Sequence, residues 1–153
     1  MEVRYTIAGR LERVRVAEPR PPRPAHRLWE HTCCEMFVKL SGASAYHELN
    51  FAPSGEWAAY AFDRYRHGAQ AAMDALGPEV NVRRLSGALE LSARTRLDRL
   101  SPAYTSAKLA IALAAVIEDD DGTLSYWAIN HPPGKPDFHH PDAFALELDE
   151  IRN

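Results

Sequence analysis

Leu28-Trp29-Glu30-His31-Thr32-Cys33-Cys34-Glu35-Met36-Phe37-Val38-Lys39-Leu40 and, a short turn later, Tyr46-His47-Glu48-Leu49-Asn50-Phe51-Ala52-Pro53-Ser54-Gly55-Glu56-Trp57 are the residues on which the fold of this chain turns. Both runs place carboxylates and aromatic rings between apolar residues. A strand read through the first run sets Trp29, His31, Cys33, Glu35, Phe37 and Lys39 on one face and Leu28, Glu30, Thr32, Cys34, Met36, Val38 and Leu40 on the other. Neither face is purely apolar. Ser41 to Ser44 and Pro53-Ser54-Gly55 have turn chemistry, and Trp57 to Phe62 forms a further strand, which predicts an antiparallel meander. Burying acids beside Trp and Phe costs several kcal/mol unless partners satisfy them, so the pattern predicts a binding cleft or a polar core network.

Strand signals continue on both sides. Val3, Tyr5 and Ile7 alternate with polar neighbours, and Leu11 to Ala17 reads as a second strand after Gly9-Arg10. Glu18 to Arg27, with prolines at 19, 21, 22 and 24, cannot feed a hydrogen-bonded ladder and predicts an extended connection. Alanines between Asp63 and Gly77 predict a short helix or helical turn there. Val80 and Val82, then Leu89, Leu91 and Ala93, predict two strands about the Ser86-Gly87 turn. Lys108 to Ile117 and Thr123 to Ile129 predict a hairpin around an acidic tip, and Phe144 to Leu148 a last strand. About ten short strands with almost no helix predict an all-β chain, an antiparallel β-sandwich formed as one domain over residues 1–153.

Composition narrows the function. A net charge of -3 lacks the basic excess that a phosphate backbone attracts, so nucleic acid is not an expected partner. Charged residues through Met1 to Val16 leave no room for the apolar core of a signal peptide, and no apolar run is long enough for a membrane helix; a cytoplasmic location is the expectation. Adjacent Cys33 and Cys34 would point to opposite faces of a strand, which predicts free thiols.

The two runs quoted first, with Tyr126-Trp127-Ala128-Ile129-Asn130-His131-Pro132-Pro133-Gly134-Lys135-Pro136-Asp137-Phe138-His139-His140-Pro141, resemble the DOMON-like β-sandwiches, and among them bacterial proteins related to family-nine carbohydrate-binding modules. The resemblance implies a jelly-roll-like sandwich with a ligand cleft on one sheet or at its edge. It implies a sugar gripped between aromatic rings, for which Trp29, Trp57 and Trp127 are the candidates by position. Carboxylates and amides such as Glu35, Glu48 and Asn50 suit the hydroxyls, as rings suit the C–H faces of a pyranose. A soluble sugar or metabolite is therefore the expected ligand.

A second reading starts from His131, Asp137, His139 and His140, whose imidazoles and carboxylate suit a transition metal although their spacing matches no standard motif. Haem would need an axial pair, for which Met36 or Met73 with a histidine is available. No cofactor is specified by the residues. Catalysis by Glu30, Glu35 and Glu48 would require two carboxyls at a defined separation, whereas alternation sets Glu30 and Glu35 on opposite faces. No nucleophile elbow, phosphate loop or zinc-protease motif is present, and Glu118 to Gly122 lacks the ligand spacing of a calcium loop. Ligand binding without catalysis is the leading expectation.

Overall fold

The computed structural model describes residues 1–70 and 76–150. Among these, ten strands run in chain order: β1 (Glu2–Ala8), β2 (Cys33–Leu40), β3 (Tyr46–Phe51), β4 (Trp57–Arg64), β5 (His67–Gln70), β6 (Glu79–Leu85), β7 (Ala88–Arg94), β8 (Leu109–Glu118), β9 (Leu124–Ala128) and β10 (Leu146–Leu148). They form two antiparallel sheets. The smaller has the order β1-β7-β6; the larger has the order β10-β8-β2-β3-β4-β5. β9 also pairs with β8, so the far edge of β8 is shared, with Leu146 opposite Ile111 at one end and Trp127 opposite Ala115 at the other. The chain is an all-β sandwich.

The sheets pack through side chains that alternation sends inward. Cys34, Met36 and Val38 of β2, Leu49 and Phe51 of β3, and Ile111 and Ala115 of β8 meet Val3, Leu91 and Ala93 of the smaller sheet. Large side chains such as Met36, Leu49, Phe51 and Leu91 are almost wholly buried there, each stabilising the fold by roughly 1.5–3 kcal/mol. The opposite face of β2 is buried as well. Cys33, Glu35 and Phe37 point away from the smaller sheet, and the segment from Pro132 to Ala145 folds back so that Phe138 and Ala143 pack against Phe37, Tyr46 and Val116. Cys33 and Cys34 thus diverge, buried and unbridged.

Three expectations are corrected by the structure. Leu11 to Ala17 is not a strand: Leu11–Arg13 makes a 3-10 turn and only Val14 forms a bridge, to Asp119. The strand read from Leu28 begins at Cys33, because Arg27 takes a left-handed backbone (φ 57°) and Leu28–Glu30 closes a 3-10 turn. His67–Gln70 is strand β5 rather than helix, while 71–75 lie outside the described residues. Gly68 makes β5 possible: a Cβ there would meet the Ala61 carbonyl oxygen at 2.2 Å. Local alanine propensity yields to that tight pairing with β4.

The proline-rich arm between residues 18 and 27 is strapped to the larger sheet rather than free. Arg20 N–H donates to Ser54 O at 2.8 Å, Ala25 N–H to Trp57 O at 2.8 Å, and Pro24 bridges Trp57 in parallel. Arg23 Nε donates to Glu56 Oε1 at 2.8 Å. At the arm's two ends, buried Glu118 accepts from Arg15 Nη1 at 2.7 Å and lies 2.7 Å from His31 Nδ1, while Thr32 Oγ1 donates to Arg15 O.

Replacing Met36 with Ala should destabilise the protein by about 2–5 kcal/mol in urea denaturation, since a cavity is left between the sheets. Leu148→Ala, at an exposed strand position, should cost well under 1 kcal/mol.

Candidate functional site

On the outer face of the larger sheet, the central strands carry polar groups where a core would call for apolar ones. Glu35 on β2 stands opposite Asn50 on β3, and Glu48, two residues before Asn50, stands opposite Phe37. The positions beside them are small: Ala114 faces Glu35 across β8, and Ala58 faces Asn50 across β4. Larger side chains stand around the two acids. The result is a hollow of about 350 Å³ whose floor includes Glu35, Glu48 and Val116. Trp29 and Tyr60 wall one side, their rings meeting edge to face with centroids 5.4 Å apart. Tyr126, Phe138 and Pro136 wall another, with Phe62, Arg66 and His139 completing the rim.

The floor is electrostatically unusual. Glu35 is 3% exposed, and no hydrogen bond among the described residues reaches its carboxyl. Burial first, and the neighbouring Glu48 charge second, push its pKa well above the ordinary carboxylate range. Glu48 is pushed up to about 7 by burial, against the opposing pull of its hydrogen bond from Asn50 Nδ2 (2.8 Å) and of the Arg66 charge. Asn50 Oδ1 is buried without a hydrogen-bond partner among the described residues. The Tyr60 hydroxyl is also buried without a well-formed hydrogen bond, although Arg27 N–H lies near enough to offset part of the upward push of burial on its pKa.

His139 latches the overlying segment to this floor. Arg66 N–H donates to the Tyr46 hydroxyl at 3.1 Å, and the same hydroxyl is hydrogen-bonded to His139 Nδ1 at 2.8 Å. His139 Nε2 faces Glu48 Oε2 at 3.6 Å. Burial, with the Arg66 charge second, pulls the His139 pKa down to about 4 against the opposing Asp137 charge, so the ring is neutral at physiological pH. Asp137 anchors the same segment, accepting from Arg66 Nη2 at 2.7 Å and from the Tyr65 hydroxyl at 2.6 Å.

The sequence-predicted ligand residues therefore divide. Trp29, Glu35 and Glu48 come together, with Asn50 on the same face beneath them. Trp57 lies in the core between the sheets, 4% exposed, because it follows the Gly55-Glu56 turn on the inward-facing register. Trp127 is exposed in a different and larger hollow, about 590 Å³, between β1 and the β8–β9 hairpin. That hollow is mainly apolar, and its single carboxylate, Asp119, is 3.3 Å from Arg13, so size alone does not make it the site of polar recognition. Tyr60, Phe62, Arg66 and Tyr126 also line the smaller hollow. The alternation that places Glu48 outward places Tyr60 beside it, so Tyr60 was readable from the strands.

The histidine-rich segment does not gather its ligating groups. Only His139 turns to the floor; His131 rests against Phe138, and His140 Nδ1 accepts from the Asp142 N–H. Among the described residues, no group of three or more His, Cys, Asp or Glu is placed to hold a metal ion. Met36 is sealed between the sheets, and Met73 lies outside the described residues. Glu30, paired with Arg27, is exposed on its 3-10 turn.

One solved structure shares this architecture. It is described as a "putative carbohydrate-binding protein" from Bacteroides uniformis ATCC 8492, is 14% identical, and matches with a TM-score of 0.59 over 93% of this chain and 67% of its own. At that identity the likeness is one of fold. No family model and no curated protein sequence matches the chain. Among the described residues, no helix is long and apolar enough to cross a membrane.

The floor makes stability depend on pH in a stated direction. Folded Glu48 keeps its proton up to about pH 7, whereas the unfolded carboxyl loses it near 4.5, so its contribution is lost as pH rises through that window. His139 acts oppositely, its folded pKa lying below its ordinary 6.5, so its contribution is lost as pH falls from 6.5 towards about 4. Glu48→Gln should leave stability nearly unchanged at pH 4 and raise it by about 3 kcal/mol at pH 8, measured by denaturant unfolding at both pH values.

Proposed function

We propose that the chain is a non-catalytic β-sandwich that binds a small, sugar-like ligand in the outer-face hollow. The observation that carries this reading is the pair of buried carboxyls, Glu35 and Glu48, lining the same open hollow as Trp29 and Tyr60. Carboxyls take up hydroxyl groups, and aromatic rings cover the apolar faces of a pyranose. A volume of about 350 Å³ lies at the small end of ligand sites, which suits one sugar ring or a metabolite of similar size. The carbohydrate-binding description of the Bacteroides structure supports the same ligand class.

The finer resemblance, to DOMON-like domains and family-nine carbohydrate-binding modules, belongs to this proposal. Trp29 is then the principal aromatic contact, Glu35 and Glu48 take hydroxyls, and Asn50 orients Glu48 from below. The unbridged, buried Cys33 and Cys34 fit a reducing compartment, and a cytoplasmic site of action is part of the reading.

Titration with a panel of mono- and disaccharides, followed by tryptophan fluorescence in a Trp127→Ala background and by melting temperature, tests it. A saturable change with at least one sugar is expected, and Trp29→Ala should weaken that binding by about ten-fold or more. If no sugar moves either signal at millimolar concentration, the ligand class is wrong. Hydrolysis of aryl glycosides that disappears in Glu35→Gln would overturn the non-catalytic part.

A further inference from the structure

Hydroxyl groups both donate and accept hydrogen bonds, but the polar groups left open beneath the hollow are weighted to one side. The Glu35 carboxyl has no hydrogen bond among the described residues, Glu48 has one carboxylate oxygen beyond that bonded by Asn50, and Asn50 Oδ1 is buried and unpartnered. The two carboxyls are acceptors once ionised, the state that a bound cation stabilises, and Asn50 Oδ1 accepts in either case. The nearest cation on the rim, Arg66, is already held by Asp137 at 2.7 Å, and His139 has given its Nδ1 to the Tyr46 hydroxyl. Among the described residues no cation is hydrogen-bonded to either acid, and Arg66 acts on Glu48 through its charge alone. The walls are aromatic, since Trp29, Tyr60 and Tyr126 line the same hollow, and aromatic rings attract cations.

From this juxtaposition we propose that the ligand carries a protonated amine, as in an amino sugar, whose nitrogen is taken up by Glu35 and Glu48. An ammonium group supplies three donors and no acceptor, which answers a floor of acceptors, and its charge compensates two carboxyls that burial otherwise forces toward the neutral form. The remaining sugar hydroxyls and ring face meet the aromatic walls. This inference rests on the sugar-site reading and names the ligand class within it.

Glucosamine, glucose and N-acetylglucosamine share a ring and differ at one substituent, so the comparison isolates the amine. Isothermal titration of the wild-type protein with all three should give glucosamine the tightest binding, by about ten-fold or more over either neutral sugar, because a charge-assisted contact is added. Glu35→Gln and Glu48→Gln remove a carboxyl while keeping its shape, and in each the preference should shrink to within about two-fold. Melting curves of both variants check that the fold persists. Glucose or N-acetylglucosamine binding as tightly as glucosamine would overturn the amine assignment and leave the sugar site standing. Silence of all three sugars would overturn the sugar site and the amine assignment together.

Discussion

Burial of both faces of β2 and β3 is the constraint from which the rest of the molecule follows. One face must be apolar because it meets the smaller sheet, and Cys34, Met36, Val38, Leu49 and Phe51 meet that requirement. The other face is covered where the segment around Phe138 folds over it, and there Phe37 and Tyr46 supply a second apolar cluster. Glu35, Glu48 and Asn50 lie at the margin of that cover, nearly dry yet beneath a hollow. Acids in such surroundings weaken a fold unless something repays their desolvation. Their placement is intelligible as provision for a ligand.

The protonation states around this margin interlock. The Tyr46 hydroxyl accepts from the Arg66 amide and is hydrogen-bonded to His139, which sets the uncharged imidazole beside Glu48 at 3.6 Å. Arg66 is tied to Asp137 in the covering segment, which leaves the positive charge at the rim instead of on the floor. One small network therefore fixes the cover and holds the Arg66 charge on Asp137, from where it still draws on Glu48. The aromatic contacts of His139 with Phe37 and Phe62, at centroid separations of 5.2 and 5.1 Å, hold its ring in place.

What was legible beforehand was the strand alternation. The pattern from Cys33 onward placed Glu35 and Phe37 together and Cys34 and Met36 opposite, and the meander through Tyr46 and Trp57 paired in sequence as expected. Less legible were features decided at a distance. Trp29 approaches the acids from a 3-10 turn set by the left-handed backbone at Arg27, a conformation with no periodic signature. Strand β5 exists because Gly68 allows close approach to Ala61, a tertiary fact that alanine propensity cannot express. His139 stood out as a candidate ligand, but only folding shows it as a hydrogen-bonded latch, since its partners Tyr46 and Glu48 come from a distant strand.

The floor and the aromatic wall belong to mechanically separate parts of the chain. Glu35 and Glu48 sit on central strands whose every neighbour is packed, so they are poorly placed to change. Trp29 instead hangs from the arm that Arg23, Pro24 and Ala25 fasten to the sheet around Trp57 and that Thr32 and Arg15 close beyond it. Substitution, insertion or retying of that arm can reshape the wall without disturbing either sheet. Drift in the proline-rich segment therefore gives the scaffold a route to new ligand shapes while the chemistry at the base stays constant.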